Sequence, residues 1–206
     1  MHNLIIIGAG GFGKHLKLNL GGFDNAKYNF VGFFDKNVKL KTKFNEKNIK
    51  KNYKNYFFAN GIGNFSYNWY PKTFLKYKKI GFKFINLKHN TAIISSRVKL
   101  GIGNTFMENS LVKSGSKIGN FSIINSSAIV SHDVDVGDYC NISLGVKVAG
   151  NCKIGSNTFL GINSTVIQGI KIGSNSIIGA GAVVTKDVGS NVVVIGNPAF
   201  VYRNNI

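Results

Sequence analysis

The most reactive grouping in the sequence surrounds His132, which is followed at once by Asp133 and shortly afterwards by Asp135 and Asp138. Only eight Asp and Glu residues occur in the whole chain, against 26 Lys and Arg, so three acids beside one histidine are a marked concentration. A histidine with an adjacent carboxylate to orient its ring is what a general base needs. The sequence therefore predicts that His132 takes a proton from an amine or a hydroxyl.

A second candidate site lies near the start of the chain, where Gly8, Gly10 and Gly13 satisfy the pattern G-x-G-x-x-G directly after an apolar run. Such a turn places backbone N–H groups against a phosphate at the start of a helix. Asp35 ends the next apolar segment, where an acid can bind a sugar or a base edge. The α/β pattern stops near residue 88, whereas a complete dinucleotide fold needs about 150 residues. We therefore expect the mononucleotide portion of a sugar nucleotide; a tight turn without a ligand is the alternative.

The elements that must position this turn are those of a short Rossmann-like α/β subdomain, residues 1–88. Apolar runs and their boundaries predict strands at 4–7, 30–34, 56–59 and 82–85, and helices at 14–20 and 69–79. The first strand is a continuous run of Leu and Ile without alternation, which is typical of a parallel strand buried on both faces.

The rest of the chain has a period of six. Every sixth residue from Ile94 to Val184 is apolar, over sixteen consecutive positions, and a small or β-branched residue stands two places before most of them. Glycine follows the apolar position every 18 residues, at Gly101, Gly119, Gly137, Gly155 and Gly173. Hexapeptide repeats form parallel β-helices, here with three six-residue faces per coil. We therefore predict an all-β parallel β-helix in residues 89–206, with about five coils between 94 and 184.

This architecture converts spacing into position, because residues 18 apart lie on neighbouring coils about 4.8 Å from each other. His132 falls at a corner and not in the core, and Gly150 occupies the same corner one coil later. The N–H of Gly150 can then bind an oxyanion while His132 serves as the base. Cys140 and Cys152 fall in the small inward slot, so we expect buried thiols that are neither nucleophiles nor bridged. Direct acyl transfer from a thioester fits this arrangement.

Composition excludes several other classes of protein. The net charge is +18, but only Arg97 and Arg203 are arginine, the side chain that binds guanine or phosphate in a bidentate manner. We therefore expect no nucleic-acid partner and a solvated lysine-rich surface that also attracts small anions. The sequence has no apolar run long enough to span a membrane and no secretory leader, which predicts a cytoplasmic location. Cys and His lack zinc-ligand spacing, so we expect no metal.

A short Rossmann-like unit followed by a left-handed β-helix resembles the sialic-acid O-acetyltransferase-like family of sugar acyltransferases. Within it, the chain is most similar to the bacterial UDP-4-amino-sugar N-acetyltransferases of bacillosamine biosynthesis. The similarity covers nearly the whole chain and is most specific at 125–133 (NSSAIVSHD), 149–151 (AGN), 159–164 (FLGINS) and 196–199 (GNPA). It implies an acetyl-CoA-dependent N-acetyltransferase that acts on a nucleotide-linked 4-amino sugar in glycan biosynthesis, without a metal.

The resemblance also implies roles for particular residues. His132 would be the catalytic base and Asp133 the acid that supports it, although relatives often carry Glu there. The nucleotide sugar would be held by Gly10, Gly11, Phe12, Asp35 and Lys36, with Ser66 near the sugar or phosphates. Acetyl-CoA would contact Asn141, Ile162 and Ala180. Relatives commonly have a second histidine where this chain has Asn141, and an amide can still donate a hydrogen bond to the thioester carbonyl.

Two corners of the β-helix are involved, because Ile162 and Ala180 share one and His132 and Gly150 share another. A single ligand can hardly contact two separate corners of one β-helix. We therefore predict a parallel homotrimer with sites between subunits. The alternatives are O-acetylation of the sialic-acid type, a dTDP-linked acceptor and a larger acyl group. The α/β subdomain is too small for a nicotinamide-dependent oxidoreductase. A structural or nucleic-acid-binding solenoid is the remaining alternative. The sequence does not identify the sugar.

Overall fold

The computed structural model describes residues 2–23, 28–35, 44, 49, 53–63 and 69–205. The chain divides into two compact units, Met1–Asn90 and Thr91–Ile206. The first is an α/β unit and the second is a β-helix. In the described ranges no helix is long and apolar enough to cross a lipid bilayer.

Within its described residues, the first unit contains a parallel four-stranded sheet and two helices. Its strands are β1 (His2–Ile7), β2 (Tyr28–Phe34), β3 (Phe57–Asn60) and β4 (Lys83–Phe84), in the spatial order β2-β1-β3-β4. The helices are α1 (Gly11–Leu18) and α2 (Trp69–Ile80). Single 3-10 turns span Leu20–Gly22 and Tyr53–Asn55, and a short strand spans Leu87–Lys88. The α/β interpretation is confirmed, with the ends of each predicted element correct to within three residues.

Strand β1 lies inside this sheet because its apolar run is buried on both faces. Residues 4–7 are at most 2% exposed, and β1 pairs in parallel with both β2 and β3. A continuous apolar run is typical of such a strand. Aromatic rings complete the core: Phe58 and Tyr77 stack on Phe82, with ring centroids 4.1 and 5.0 Å away.

Helix α1 begins three residues earlier than the sequence predicts, because the glycine turn itself provides the start of the helix. Gly10 is the N-cap in an extended conformation, and the N–H of Lys14 donates to its carbonyl at 3.0 Å. Position 13 must be small, since a side chain at Gly13 would collide with the carbonyl of Gly8. A side chain at Gly10 or Gly11 would meet nothing within 4 Å, so the surface over the turn is open.

The second unit is a parallel β-helix whose two-residue strands form three faces. Face A consists of Ile93–Ile94, Leu111–Val112, Ile129–Val130, Lys147–Val148, Thr165–Val166 and Val183–Val184. Face B consists of Lys99–Leu100, Lys117–Ile118, Asp135–Val136, Lys153–Ile154 and Lys171–Ile172. Face C contains Thr105–Phe106, Ile123–Ile124, Asn141–Ile142, Phe159–Leu160, Ile177–Ile178 and Val192–Ile195, with Phe200–Asn204 antiparallel at its end. Paired residues on successive coils are 18 apart, as Ile129 is from Lys147, so the hexapeptide prediction is confirmed.

The second residue of each two-residue strand points into the core. Between Phe106 and Val184 these side chains are at most 4% exposed, whereas Leu100 in the first coil is 38% exposed. The residue two positions earlier is buried too, and at several coils its hydroxyl or thiol donates to a carbonyl 15 residues later. Cys140 illustrates this, because its thiol donates to the carbonyl of Gly155 at 3.2 Å. The slot therefore accepts Ser, Thr, Cys, Ala or Val.

Each corner of the β-helix holds a residue in the left-handed backbone region, a feature that the glycine column does not predict. Glycines of that column, such as Gly119 and Gly137, are needed because a side chain would come within 2.6 Å of the backbone one coil later. Positive φ angles occur two residues after them, as at Tyr139 with 58°. Gly, Asn and Asp, which tolerate this conformation, hold most such positions.

Asparagine side chains form a ladder along the corner between faces B and C. Asn157 donates to Oδ1 of Asn175 at 2.9 Å, and Asn175 donates to Oδ1 of Asn191 at 3.1 Å. At the end of the β-helix, the side chain of Asn205 donates to the carbonyl of Asn175 at 2.6 Å. These bonds join the last coils to the residues that follow strand Phe200–Asn204.

Candidate active site

His132 lies at the corner between faces A and B, the A–B corner, and its ring contacts the carboxylate of Asp133. Nδ1 of His132 is 2.9 Å from Oδ2 of Asp133. A carboxylate only accepts hydrogen bonds, so the proton of the neutral ring lies on Nδ1 and the lone pair lies on Nε2. The two side chains are 54% and 59% exposed. The pair is therefore accessible to a ligand, with Nε2 as the basic atom.

The conformation of Asp133 brings its carboxylate back to the neighbouring ring. Its φ angle is 56°, in the left-handed region that Asp tolerates. Its second carboxylate oxygen, Oδ1, lies against Gly115 one coil earlier, where any side chain would collide with it. Glycine at position 115 therefore leaves the space in which Asp133 turns towards His132.

Gly150 lies against the His132 ring from the next coil. A Cβ atom at position 150 would be 2.6 Å from both Cε1 and Nε2 of His132. The amides on either side of Gly150 belong to the coil-to-coil ladder, because Ala149 donates to Val166 and Asn151 donates to His132. Within the described part of the chain, the N–H of Gly150 has no acceptor. The structure thus brings a basic nitrogen and a backbone donor to one corner.

The other two acids near His132 in the sequence have different partners. Oδ1 of Asp135 is 3.3 Å from Nζ of Lys117 on face B. Asp138 accepts hydrogen bonds from the backbone and side-chain amides of Asn120, at 2.7 and 3.0 Å. The concentration of acids in the sequence therefore does not form one cluster in space. In the described ranges no group of three or more His, Cys, Asp or Glu residues could hold a metal ion.

The two cysteines are unsuited to nucleophilic catalysis. Cys140 and Cys152 are free thiols that are at most 1% exposed, in the inward slots that the repeat predicts. Burial raises the pKa of Cys140 to about 12 and also raises the pKa of Cys152. Both thiols are therefore protonated at neutral pH, and the attacking thiolate is not formed.

The residues expected near acetyl-CoA lie on another side of the prism. Ile162 and Ala180 share the corner between faces C and A, the C–A corner, where Ile162 is 47% exposed. Asn141 begins a face C strand before that corner and is 7% exposed. Face A separates this group from His132, and its six-residue repeat spans about 20 Å when extended. A single copy of the chain does not bring the two groups together.

A groove on face A adjoins the His132 corner and was not predicted from the sequence. Its volume is about 390 Å³, and its lining includes Ile129, Ser131, Lys147, Thr165, Ile167 and Gln168. The repeat register could have predicted this groove. The second residue of each two-residue strand points inward, so the first residue points outward and is available to line a groove on face A. A larger groove of about 1000 Å³ follows the lysines of face B and does not include His132 or Gly150.

In the first unit, the glycine turn and Asp35 lie together, as their pattern predicts. Oδ2 of Asp35 accepts a hydrogen bond from the N–H of Ala9 at 2.7 Å. Asp35 therefore stabilises the glycine turn with one carboxylate oxygen, besides any contact that it makes with a ligand. Phe12 lies in the first turn of α1, packed so closely against Gly63 that a side chain there would be 2.6 Å from its Cβ. Two residues predicted to hold the nucleotide sugar lie outside the described residues: Lys36 and Ser66.

Comparison with known sequences identifies the same repeat. Residues 151–186 match the family model described as bacterial transferase hexapeptide (six repeats). A search among curated protein sequences finds no match.

Several solved structures are similar over nearly the whole chain. A mutant of perosamine N-acetyltransferase from Caulobacter crescentus, in complex with CoA and GDP-perosamine, has a TM-score of 0.87 at 26% identity, covering 99% of this chain and 98% of that one. The acetyltransferase domain of PglB from Neisseria gonorrhoeae FA1090, in complex with acetyl coenzyme A, has a TM-score of 0.85 at 28% identity, covering 97% and 98%. WeeI from Acinetobacter baumannii AYE, at 23% identity, has a TM-score of 0.78 over 98% and 100% and supports the fold alone.

Proposed function

We propose that this acyltransferase moves the acetyl group of acetyl-CoA to the amino group of a nucleotide-linked amino sugar. The observation that carries the proposal is the position of His132, with Asp133 at Nδ1 and Gly150 against Nε2. Similar structures support the substrates, because one neighbour is in complex with CoA and GDP-perosamine and another with acetyl coenzyme A. No step requires a metal.

His132 is proposed as the general base. An amine must be neutral to attack a thioester, and addition leaves the new nitrogen with a proton to lose. Nε2 takes that proton while the C–N bond forms, and the carboxylate of Asp133 stabilises the resulting imidazolium. When the C–S bond breaks, the imidazolium returns the proton to the departing CoA thiolate. Atoms and charges balance without a covalent enzyme intermediate.

Gly150 is proposed as the oxyanion donor. Its N–H has no acceptor within the described residues, and a preorganised backbone donor stabilises the negative oxygen of a tetrahedral intermediate. The absence of a side chain also matters, because a Cβ at this position would occupy space within 2.6 Å of Nε2. Glycine therefore leaves room for the reacting carbon between the base and the donor.

We also propose that each site lies between two copies in a parallel homotrimer. Face A is bounded by the A–B corner, with His132, and by the C–A corner, with Ile162 and Ala180. A threefold axis in front of face A places the A–B corner of one copy beside the C–A corner of the next. The outward residues of face A support this arrangement, because most are uncharged in a lysine-rich chain: Ile93, Leu111, Ile129, Lys147, Thr165 and Val183.

At such a boundary the C–A corner would contact acetyl-CoA. Leu144 and Ile162 are 44% and 47% exposed on successive coils and offer an apolar surface to the pantetheine chain. Asn141 and Ala180 would complete this contact, with the Asn141 amide as a donor to the thioester carbonyl. Contact with a long, partly apolar ligand would bury these exposed apolar side chains, which is more favourable than leaving them in water.

The glycine turn is proposed to hold the nucleotide sugar. Gly10 and Gly11 leave the start of α1 open, so its backbone N–H groups can face a diphosphate. Phe12, Asp35, Lys36 and Ser66 would contact the remainder of the nucleotide or the sugar. UDP is our prediction for the nucleotide, with dTDP and the GDP of the perosamine-bound neighbour as the alternatives.

The proposal is tested by incubating the protein with acetyl-CoA and UDP-, GDP- and dTDP-linked 4-amino sugars. CoA release is followed with a thiol reagent, to which the buried Cys140 and Cys152 do not contribute. The expected result is acetylation of the amine in one nucleotide series, identified by mass spectrometry. The matched control substrate carries a hydroxyl in place of the amine. Acetylation of that hydroxyl alone, or no CoA release with any acceptor, would contradict the proposal.

A further inference from the structure

Glu108 forms a polar site with Ser126 on the C–A corner. Oγ of Ser126 donates a hydrogen bond to Oε2 of Glu108 at 2.7 Å. The column to which both belong changes character along the axis of the β-helix. In order of successive coils it contains Glu108, Ser126, Leu144, Ile162 and Ala180. The corner is thus polar in its first coils and apolar in its later ones.

The carboxylate of Glu108 lies near the axial level of His132. One coil of 18 residues advances about 4.8 Å, so His132, six residues after Ser126, is only about 1.6 Å further along the axis. Glu108 begins one coil before Ser126, but its Oε2 is 2.7 Å from Oγ of Ser126, so the carboxylate lies within one hydrogen-bond length of that hydroxyl. The acid and the base are therefore at similar levels, within about one coil of each other, on the two corners that bound face A.

From this match we infer that Glu108 of one copy binds the acceptor amino sugar opposite His132 of the partner copy. The inference rests on the proposed function and on rotation about a threefold axis, which leaves axial level unchanged. A carboxylate accepts hydrogen bonds from an ammonium group or from sugar hydroxyls, and such charge-assisted bonds are the strong ones. Glu108 therefore positions the acceptor, and the partner's His132 removes its proton.

The same column separates the two substrates. Leu144 and Ile162 follow Ser126 on later coils and are exposed apolar side chains. A polar sugar is accordingly held at the level of Glu108 and Ser126, and the acyl donor lies along the later coils. The two ligands meet at the level where the column changes from polar to apolar, which is that of His132.

The first experiment measures Glu108→Gln, which keeps the shape of the side chain and removes its charge. We expect the KM for the amino-sugar acceptor to rise about tenfold to a hundredfold, as for loss of a charged hydrogen bond, and the KM for acetyl-CoA to stay unchanged. Ser126→Ala should raise the same KM by less. Asp135→Asn is the control, since its carboxylate pairs with Lys117 on face B. An unchanged acceptor KM in Glu108→Gln overturns the inference.

The second experiment mixes two defective chains with different tags, His132→Ala and Glu108→Gln, by co-expression. If the residues serve one site from different copies, random assembly leaves both intact in about a quarter of the sites, so kcat/KM returns to about a quarter of the wild-type value. If both residues of a site come from the same copy, every site carries one of the two defects, and no activity is recovered. Recovery also shows that the Glu108→Gln chain is folded.

A third experiment is independent of catalysis. A chain carrying Glu108→Cys and His132→Cys is treated with a short bis-maleimide, to which the buried native thiols do not respond. We expect covalent trimers on a denaturing gel, and none when Ser156→Cys, on the B–C corner, replaces His132→Cys. Links confined to single chains, or no links, overturn the placement. If the double-cysteine chain forms such trimers but the wild-type chain transfers no acetyl group, the proposed function fails while the placement stands.

Discussion

The imidazole ring of His132 lies against Cα of Gly150, so closely that a methyl group there would be 2.6 Å from Nε2. Gly150→Ala should therefore displace the ring and cover the N–H. We expect kcat to fall about a hundredfold, the effect of losing one oxyanion donor. Steady-state kinetics measure this, and thermal unfolding checks the fold, which should persist because Gly150 has no positive φ.

Gly189→Ala is the matched control for this substitution. Gly189 also has no positive φ, and a side chain there would meet nothing within 4 Å. Its kcat should equal that of the wild type. Equal losses in the two glycine variants would assign the effect to the backbone and not to the contact with His132.

His132→Ala should lose most turnover and still bind CoA. Proton transfer by a positioned side chain contributes about a hundredfold to ten-thousandfold, so kcat should fall within that range. Titration calorimetry should give an unchanged Kd for CoA. Ser114→Ala, one coil earlier on the same corner, should retain its turnover; wild-type-like turnover in His132→Ala would refute its role as a base.

Asp133→Asn should reduce kcat about tenfold or more, because an amide does not stabilise the imidazolium that forms during addition. The backbone should be unaffected, since Asn tolerates the φ angle of 56° at this position. Asp135→Asn tests whether any nearby acid matters, because Asp135 faces Lys117 and not His132. If both variants lose the same turnover, the 2.9 Å contact is not the cause.

The buried thiol of Cys140 should make the protein less stable at alkaline pH. Burial raises its pKa from 9.0 to about 12, so above pH 9.0 the unfolded state loses a proton that the folded state retains. Its stabilising contribution is complete below pH 9.0 and is lost as the pH rises towards about 12. Cys140→Ala, which fits a slot that holds Ala128 elsewhere, should show a weaker decline in urea denaturation between pH 9 and 11. An identical decline in both proteins would contradict this.

Much of the β-helix could be predicted because its geometry repeats. The period of six predicts which side chains point inward, and the spacing of 18 predicts that Gly150 lies next to His132, as it does in the structure. The same spacing also predicts an ion pair, because Asp135 follows Lys117 by 18 residues and pairs with it in the structure. Closeness in sequence predicts a cluster of acids around His132. In the β-helix, however, side-chain contacts depend on position on the coil, and of the three acids only Asp133 contacts His132.

Contacts without a repeat could not be read in this way. Asp35 reaches the N–H of Ala9 across 26 residues, and only the packed sheet brings the two together. The repeat does make Glu108 and Ser126 neighbours, 18 residues apart, but the hydrogen bond between their side chains depends on side-chain conformation, which spacing alone does not give. The left-handed corner residues recur every six positions, but residues as different as Arg97, Phe121 and Asp133 occupy them, so residue type alone does not predict their φ angles.

The ladder of residues 18 apart has a consequence for how such a chain can change in evolution. An insertion of one whole coil between Gly150 and Ile162 would keep every inward side chain inward, because each coil contacts only its neighbours. It would nevertheless move Ile162 about 4.8 Å further from His132 along the axis. Duplication of a repeat can thus lengthen the surface between these two corners in fixed increments, while the contact between His132 and Gly150 stays intact.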